Sequence, residues 1–340
     1  MKPTNYWMNY QRSFLPELKR RGLKDFRRRK ESVLGLFGAT DLLIQPRVHL
    51  NRSFRGAGKI SVLLNMLIRN VPFVRLGVLG VSPQGVTPYF YKYIKQKMDR
   101  LGLDINACHT TLFGNPEDII EINGHFWSTA HLQYVSMTAD ALMHMKLRED
   151  PVVCELGTGL GRNIEVMAQL FNRGTFLVFD IPPQLYVANQ YLGAVFGNRV
   201  VPYREAVKMR PGGQTGTEKI KGKILVLPTW EMHHWAKNKI DLFWNSASFQ
   251  EMEPDVVGNY LRLVNSMSPE WIYINALPQG NYWGKPRVGG GGTLAPVTEQ
   301  SYFEALKESY RLVQTYETDD FLRQPDHRSY VFAKQTGEGR

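Results

Sequence analysis

Ten consecutive residues, Cys154-Glu155-Leu156-Gly157-Thr158-Gly159-Leu160-Gly161-Arg162-Asn163, constrain this chain more than any others. They overlap the end of an apolar run, Val152–Leu156, and lead into a helical pattern, Asn163–Phe171. The glycines therefore fall at a strand-to-helix turn, the context in which such a motif carries meaning. Glycine keeps the turn tight and lets a ligand approach the backbone, while the helix that follows offers unpaired N–H groups. Nineteen residues beyond Gly161, Asp180 closes a second apolar run, Phe176–Phe179. A carboxylate there can accept both hydrogen bonds of a ribose diol, so loop and acid together fit a cofactor that contains adenosine.

From Pro151 onward, short apolar runs alternate with helical stretches. Strands are expected at Val152–Leu156, Thr175–Phe179, Lys223–Leu227, Asp241–Trp244 and Trp271–Ile274. Helices are expected at Asn163–Phe171, Leu185–Phe196, Val256–Met267 and Glu299–Ser309. Two close-set strands, Leu312–Tyr316 and Ser329–Ala333, end the pattern. The alternation predicts an α/β fold, Rossmann-like and doubly wound. Its sheet is mostly parallel with an antiparallel C-terminal edge strand, and helices cover both faces. A ligand should lie beyond the carboxyl ends of the strands, where the strand order switches.

The first half reads differently. Residues 1–126 form a helical, basic N-terminal domain, 127–150 a linker helix, and 151–340 the cofactor domain. Trp7, Tyr10, Phe14 and Leu18 recur at helical spacing, with Pro16 expected to break or restart the segment. Further helices are expected at Val62–Val71, Tyr89–Met98 and Ser128–Leu147.

Composition excludes several classes. A chain of 340 residues, 43% hydrophobic and 21% charged, is not largely disordered and needs neither a disulfide nor a metal to fold. Two cysteines, Cys108 and Cys154, cannot form a Cys-rich zinc site, and a reducing compartment is the default. No apolar run reaches the ~18 residues of a membrane span. No apolar stretch follows the basic N-terminus as a secretory signal requires, so a cytoplasmic location is expected. The net charge of +11 is almost wholly N-terminal: residues 1–150 hold 22 basic and 12 acidic side chains, the rest 20 and 19. Lys19, Arg20, Arg21, Lys24, Arg27, Arg28, Arg29 and Lys30 make up much of it. A solvated helix face or subunit contact, an anionic partner such as nucleic acid, and an acidic substrate all fit such a cluster.

The spacing of the glycine loop separates candidate cofactors. A dinucleotide fingerprint would be G-x-G-x-x-G, with pyrophosphate on the helix N-terminus. Here the pattern is Glu-x-Gly-x-Gly-x-Gly, and Glu155 would be unwelcome beside pyrophosphate. It suits the ammonium end of S-adenosylmethionine, which carries no phosphate. A kinase-like P-loop is excluded because no Gly-Lys-Ser/Thr follows.

These residues resemble class I S-adenosylmethionine-dependent methyltransferases. Glu155 to Gly161 is similar to their first motif, Asp180 to their ribose-binding acid, and Ile240–Asn245 to their fourth strand. The resemblance implies S-adenosyl-L-methionine as cofactor, held by Glu155, Gly157, Thr158, Gly159, Gly161, Asp180, Ile181 and Asn245. A narrower resemblance lies in Phe179-Asp180-Ile181-Pro182-Pro183, Tyr191-Leu192, and Asp241 to Met252, above all Asn245-Ser246-Ala247-Ser248-Phe249-Gln250-Glu251-Met252. These segments look like the sugar O-methyltransferases of bacterial biosynthetic clusters. The departures are Thr158 and Arg162-Asn163, where that family often has small or glycine residues.

Such a reaction needs the acceptor oxygen in line with the methyl carbon and a group that assists loss of the hydroxyl proton. Glu251 follows the fourth strand and is the leading base, with capping or orienting the loop as its alternative. Gln250 could bind a sugar hydroxyl, and His234, beside His233 after the third strand, is a second base candidate. His327 and His125 read first as structural. No metal ligands are assigned. Mg²⁺ assistance is left open, but the paired Asp/Asn cluster a hard cation wants is not evident. Gly280 to Pro296, with Trp283 and Gly289–Gly292, reads as a lid or an ordinary loop. The partner implied is a small sugar or glycoside, not a membrane. The helical half could shape its pocket or a homodimer contact. A nucleic-acid methyltransferase is disfavoured, because Asn245-Ser246-Ala247-Ser248 stands where base-directed enzymes carry Asp/Asn-Pro-Pro-Tyr. A non-catalytic binding subunit would be favoured by a degraded loop or a lost acid, and both features are intact.

Overall fold

The computed structural model describes residues 5–28, 83–116, 119–211, 217–281, 293–317 and 327–335. The helix expected at 62–71, the cluster residues Arg29 and Lys30, Trp283 and the four glycines 289–292 lie outside the described residues.

The C-terminal half folds as its alternation requires. Strands β3 (Val152–Leu156), β4 (Thr175–Asp180), β5 (Val200–Val201), β6 (Ile224–Pro228), β7 (Leu242–Ser246), β8 (Trp271–Ala276), β9 (Tyr310–Glu317) and β10 (Arg328–Lys334) form one sheet. Their order is β5-β6-β4-β3-β7-β8-β10-β9. All pairs from β5 to β8 are parallel, and β10 runs antiparallel to both β8 and β9. The chain leaves β3 for β4 on one side and returns to β7 on the other. The switch in strand order therefore lies between β3 and β7. Two-residue β5 is not signalled by the sequence pattern, being too short to show a period, and neither is the three-residue pair Ile120–Ile122 and His125–Trp127 in the half read as helical.

Helices cover both faces. On one face lie α1 (Asn5–Arg21), α3 (Thr129–Leu142), α4 (Arg162–Leu170) and α5 (Pro182–Phe196), which bury Phe14, Met137, Ile164 and Tyr191 against Val153, Val178 and Trp244. Trp244 and Tyr273 stack there with centroids 3.8 Å apart. On the other face lie α6 (Tyr203–Ala206), α7 (Met232–Trp235), α8 (Pro254–Met267) and α9 (Glu299–Leu306), over Leu156, Phe179, Leu227 and Phe243. Each large apolar side chain buried this way contributes roughly 1.5–3 kcal/mol.

Parts of the described N-terminal half pack against this body, with Phe14 and Phe26 in the same core cluster as Val153 and Val178. Helix α1 runs unbroken through Pro16, contrary to the expected break. Phe14 and Leu18 pack into the core on either side of the proline, and the loss of one helical hydrogen bond is offset there. Phe26 and Arg27, just beyond α1, are fully buried. Helix α2 (Pro83–Arg100) packs on α3 with Trp127, which ends the hairpin β1 (Ile120–Ile122) and β2 (His125–Trp127). Cys108 and Cys154 are free and buried. Among the described residues no helix is long and apolar enough to cross a membrane.

Candidate functional site

The carboxyl ends of β3, β4 and β7 converge at the switch point. The loop after β3 has three glycines at positive φ: Gly157 at 79°, Gly159 at 57° and Gly161 at 94°. Gly157 also needs its missing side chain, because a Cβ there would lie 2.2 Å from Ser248 Oγ. Gly161 caps α4, and a Cβ on it would meet Leu192 Cγ at 2.9 Å.

Within this loop Glu155 is fully buried. Thr158 Oγ1 donates to its Oε2 at 2.5 Å and Asn163 Nδ2 to its Oε1 at 2.8 Å. Thr158 and Asn163 thus hold one oxygen each of the Glu155 carboxylate. Arg162, the third departure, is buried as well. Its guanidinium donates to Tyr191 Oη at 3.1 Å and to His131 Nδ1 at 3.1 Å, and its Nε lies 3.4 Å from Glu165 Oε2. His131 Nε2 donates to the Cys108 carbonyl at 2.5 Å. Burial and the Arg162 charge hold His131 well below its usual range, so it is neutral.

Asp180 ends β4 opposite the loop. The Gly159 N–H donates to its Oδ2 at 2.6 Å and the Ile181 N–H to its Oδ1 at 2.7 Å. Burial pushes its carboxyl up to about 7, against the pull of those two N–H groups, and the nearby Glu155 charge adds to the rise. Each oxygen keeps further acceptor capacity beyond its one N–H donor, and a diol such as that of a ribose could fill it.

Beyond β7 the chain turns sharply. Ala247 takes φ 60°, a left-handed conformation uncommon for alanine, and its N–H donates to the Asn275 carbonyl at 2.8 Å. Asn245, expected at the cofactor, spends both amide hydrogens inside the fold, on the Leu156 carbonyl at 2.9 Å and Ser248 Oγ at 2.7 Å. Its Oδ1 accepts from the Phe249 N–H at 3.2 Å. Asn245 and Ser248 therefore clamp the β7 exit to the glycine loop.

Glu251 closes the short turn Phe249–Glu251. It is half-buried, and its carboxylate has no hydrogen-bond partner among the described residues. Burial, then the charge of Asp180, raises it to about 8. Gln250 is buried with both ends of its amide engaged, by the Leu277 N–H at 2.9 Å and His327 Nε2 at 3.1 Å. His234 lies outside this group. It is exposed on α7, its ring tilted against that of His233 with centroids 3.8 Å apart, and Arg210 and Glu231 are nearby. Among the described residues no group of three or more His, Cys, Asp or Glu side chains could hold a metal ion.

The structure brings together Glu155, Gly157, Thr158, Gly159, Gly161, Asp180, Ile181, Asn245, Gln250 and Glu251, and His234 has none of them as a neighbour. Sequence reasoning missed Ser248 as the neighbour that requires Gly157, although it stands in the quoted stretch. It also missed the His131–Arg162–Tyr191–Glu165 network and the Gln250–His327 contact, which no local pattern announces.

No family model matches the chain, and no curated protein does. Among solved structures the fold is similar to a SAM-dependent methyltransferase from Aquifex aeolicus at 15% identity, covering 57% of this chain and 87% of that one, TM-score 0.38. It is also similar to magnesium protoporphyrin IX methyltransferase from Synechocystis at 14% identity, covering 61% and 80%, TM-score 0.39. A third is the Burkholderia thailandensis 1,6-didemethyltoxoflavin-N1-methyltransferase at 15% identity, covering 61% and 80%, TM-score 0.42. All three are methyltransferases. Likeness of this size assigns no activity to the chain, and the functional reading rests on the site.

Proposed function

We propose that this protein is an S-adenosylmethionine-dependent O-methyltransferase whose acceptor is a hydroxyl of a sugar or glycosylated small molecule. The observation that carries the reading is the Asp180 carboxylate, buried at the β4 end, bound to the glycine loop and raised to about 7. Bound S-adenosylmethionine supplies a methyl group made electrophilic by its sulfonium.

The residues divide the work. Asp180 accepts the ribose hydroxyls, and Gly157 and Gly159 leave the backbone bare for close approach. Glu155, fixed by Thr158 and Asn163, places fixed negative charge where a cationic ligand would sit. Glu251 accepts the hydroxyl proton of the acceptor as its oxygen attacks. A base that titrates near 8 is matched to that task near neutral pH. The choice of a sugar acceptor is supported by the resemblance of the Asn245–Met252 stretch.

Calorimetry with S-adenosylhomocysteine on the wild type and on Asp180→Ala tests the cofactor site. Micromolar binding that collapses in the variant supports the reading and justifies a screen of glycoside acceptors. A folded wild type that does not bind would sink it. Binding at ~100 times the dissociation constant should also stabilise the fold by ~2.7 kcal/mol.

A further inference from the structure

Gln250 offers the right chemistry for a substrate hydroxyl, but its surroundings give it another task. The Leu277 N–H can only donate, so the Gln250 oxygen must be the atom that faces it, at 2.9 Å. That fixes the amide, since the reverse orientation would set two donors against each other. The Gln250 nitrogen then faces His327 Nε2 at 3.1 Å. An amide nitrogen only donates, so Nε2 must offer a lone pair. His327 is therefore neutral, with its proton on Nδ1.

This contact joins three segments distant in sequence. Gln250 follows β7, Leu277 follows β8, and His327 immediately precedes β10. Gln250 and His327 are both buried, at 5% and 4% exposure, so water does not replace a lost partner at low cost. Glu251 is the next residue of the same turn, and its own N–H is tied to the Ser248 carbonyl at 3.0 Å. Any rotation of the turn that frees Gln250 carries Glu251 with it.

We propose that Gln250 and the Nδ1-protonated tautomer of His327 form a latch that positions the Glu251 carboxylate at the Asp180 corner. Gln250 is then a positioning residue and not a substrate contact. His327 acts through its lone pair, so the latch holds only while that nitrogen is unprotonated. The kinetic importance of the latch rests on the reading of Glu251 as a base. The latch itself does not depend on that reading.

The test is nuclear magnetic resonance on the full chain. Nitrogen-15 imidazole spectra report the His327 tautomer, and carbon-13 carboxyl spectra follow the titration of Glu251. In the wild type the His327 proton should sit on Nδ1. In Gln250→Met and His327→Leu the loosened turn should let Glu251 relax towards water, with its titration midpoint falling by at least ~1 unit as burial is relieved. In His327→Gln the new amide oxygen occupies nearly the same place as Nε2 and still accepts, so the midpoint should stay at the wild-type value. A proton found on His327 Nε2 would overturn the proposal. So would a folded Gln250→Met protein in which Glu251 titrates as before. Should the variants fail to fold, the wild-type tautomer still decides. Failure to bind S-adenosylhomocysteine, with tautomer and titrations as expected, would count against the methyltransferase reading alone.

Discussion

At the β3–β4 corner the polar groups are matched close at hand. Glu155 is held by residues three and eight positions along the chain, and Asp180 by the N–H groups of Ile181 and of the loop on the adjoining strand. At the β7–β8–β10 corner the ties are long, as in the 77-residue separation of Gln250 and His327, and the Glu251 carboxylate has no hydrogen-bond partner among the described residues. The first corner is a preformed cradle whose geometry is largely written into one loop. The second is assembled only when the sheet is complete. On the proposed function, binding and reaction fall on two kinds of construction, and substitutions should separate them.

The largest effect should come where the two corners touch. Gly157→Ala forces a Cβ to within 2.2 Å of Ser248 Oγ and strains a φ of 79°. Strain and overpacking together should cost about 3 kcal/mol or more, visible as a lowered melting temperature and lost S-adenosylhomocysteine binding. The double variant Gly157→Ala/Ser248→Gly removes the atoms that clash but not the backbone strain. It should recover part of the loss, since the bonds of Ser248 Oγ to Asn245 and to the Leu156 carbonyl go with the side chain. Additive effects in that cycle would mean that the corners are not in contact.

Glu251→Gln should act on the second corner alone. Methyl transfer to a glycoside acceptor should fall by roughly 10²–10⁴-fold, the usual value of a positioned base, while S-adenosylhomocysteine affinity changes by less than about threefold. The wild-type rate should rise with pH and level off above about 8, as Glu251 loses its proton. Stability supplies an independent check. The folded protein holds the Glu251 proton up to about 8, above the ordinary 4.5 of a free glutamate. The favourable contribution is therefore complete below 4.5 and disappears as pH rises through 8. Relative to wild type, Glu251→Gln should be stabler at pH 9, by at most about 5 kcal/mol for a shift from 4.5 to about 8, and nearly equal at pH 4. Equal stabilities at both pH values would show that Glu251 is not held in the setting described.

The same contrast explains what could be read from the sequence. Strand β3, the glycine loop, α4 and Asp180 were legible because their determinants are local: an apolar run, three glycines, and an acid at a fixed interval. Helix boundaries at α4, α5 and α8 fell within a few residues of the apolar pattern for the same reason. Asn245 and Gln250 were legible as polar residues at the right edge. Their partners Leu156 and His327 are 89 and 77 residues away, and no spacing rule connects them. Thr158 and Asn163 read as departures from a pattern until Glu155 is seen between them. The unbroken course of α1 past Pro16 depends on what Phe14 and Leu18 pack against, which local propensity does not contain.

Asp180→Ala should act on the first corner and leave the second standing. If Asp180 accepts two ribose hydroxyls as proposed, its loss should weaken S-adenosylhomocysteine binding by about 3 kcal/mol, roughly 100-fold. Because the free carboxyl titrates at about 7 and only its ionised form accepts both hydroxyls, affinity should drop about tenfold per unit as pH falls below 7 and be flat above it. In Asp180→Ala that dependence should vanish. The carbon-13 titration of Glu251 should also move down, since the Asp180 charge is one cause of its elevation. An unmoved Glu251 would mean that the corners do not share a field.

The smallest effect is expected at the hinge of the second corner. Ala247 holds a φ of 60° at the exit of β7, where glycine would be at ease. Ala247→Gly removes the steric cost of that conformation, ~1–2 kcal/mol. It also gives the unfolded chain more freedom, which works in the opposite direction by ~0.4–1 kcal/mol. The difference should be a stabilisation of roughly 0.5 kcal/mol, measurable by denaturant midpoint with an unchanged slope. Cofactor binding should not change, because Asn245 and Ser248 continue to clamp the glycine loop. The carboxylate of Glu251, four residues on, is steered through this turn, so transfer should slow even as the fold gains. A variant that is stabler, binds as before and turns over faster would show that the strain at Ala247 does nothing for the reaction.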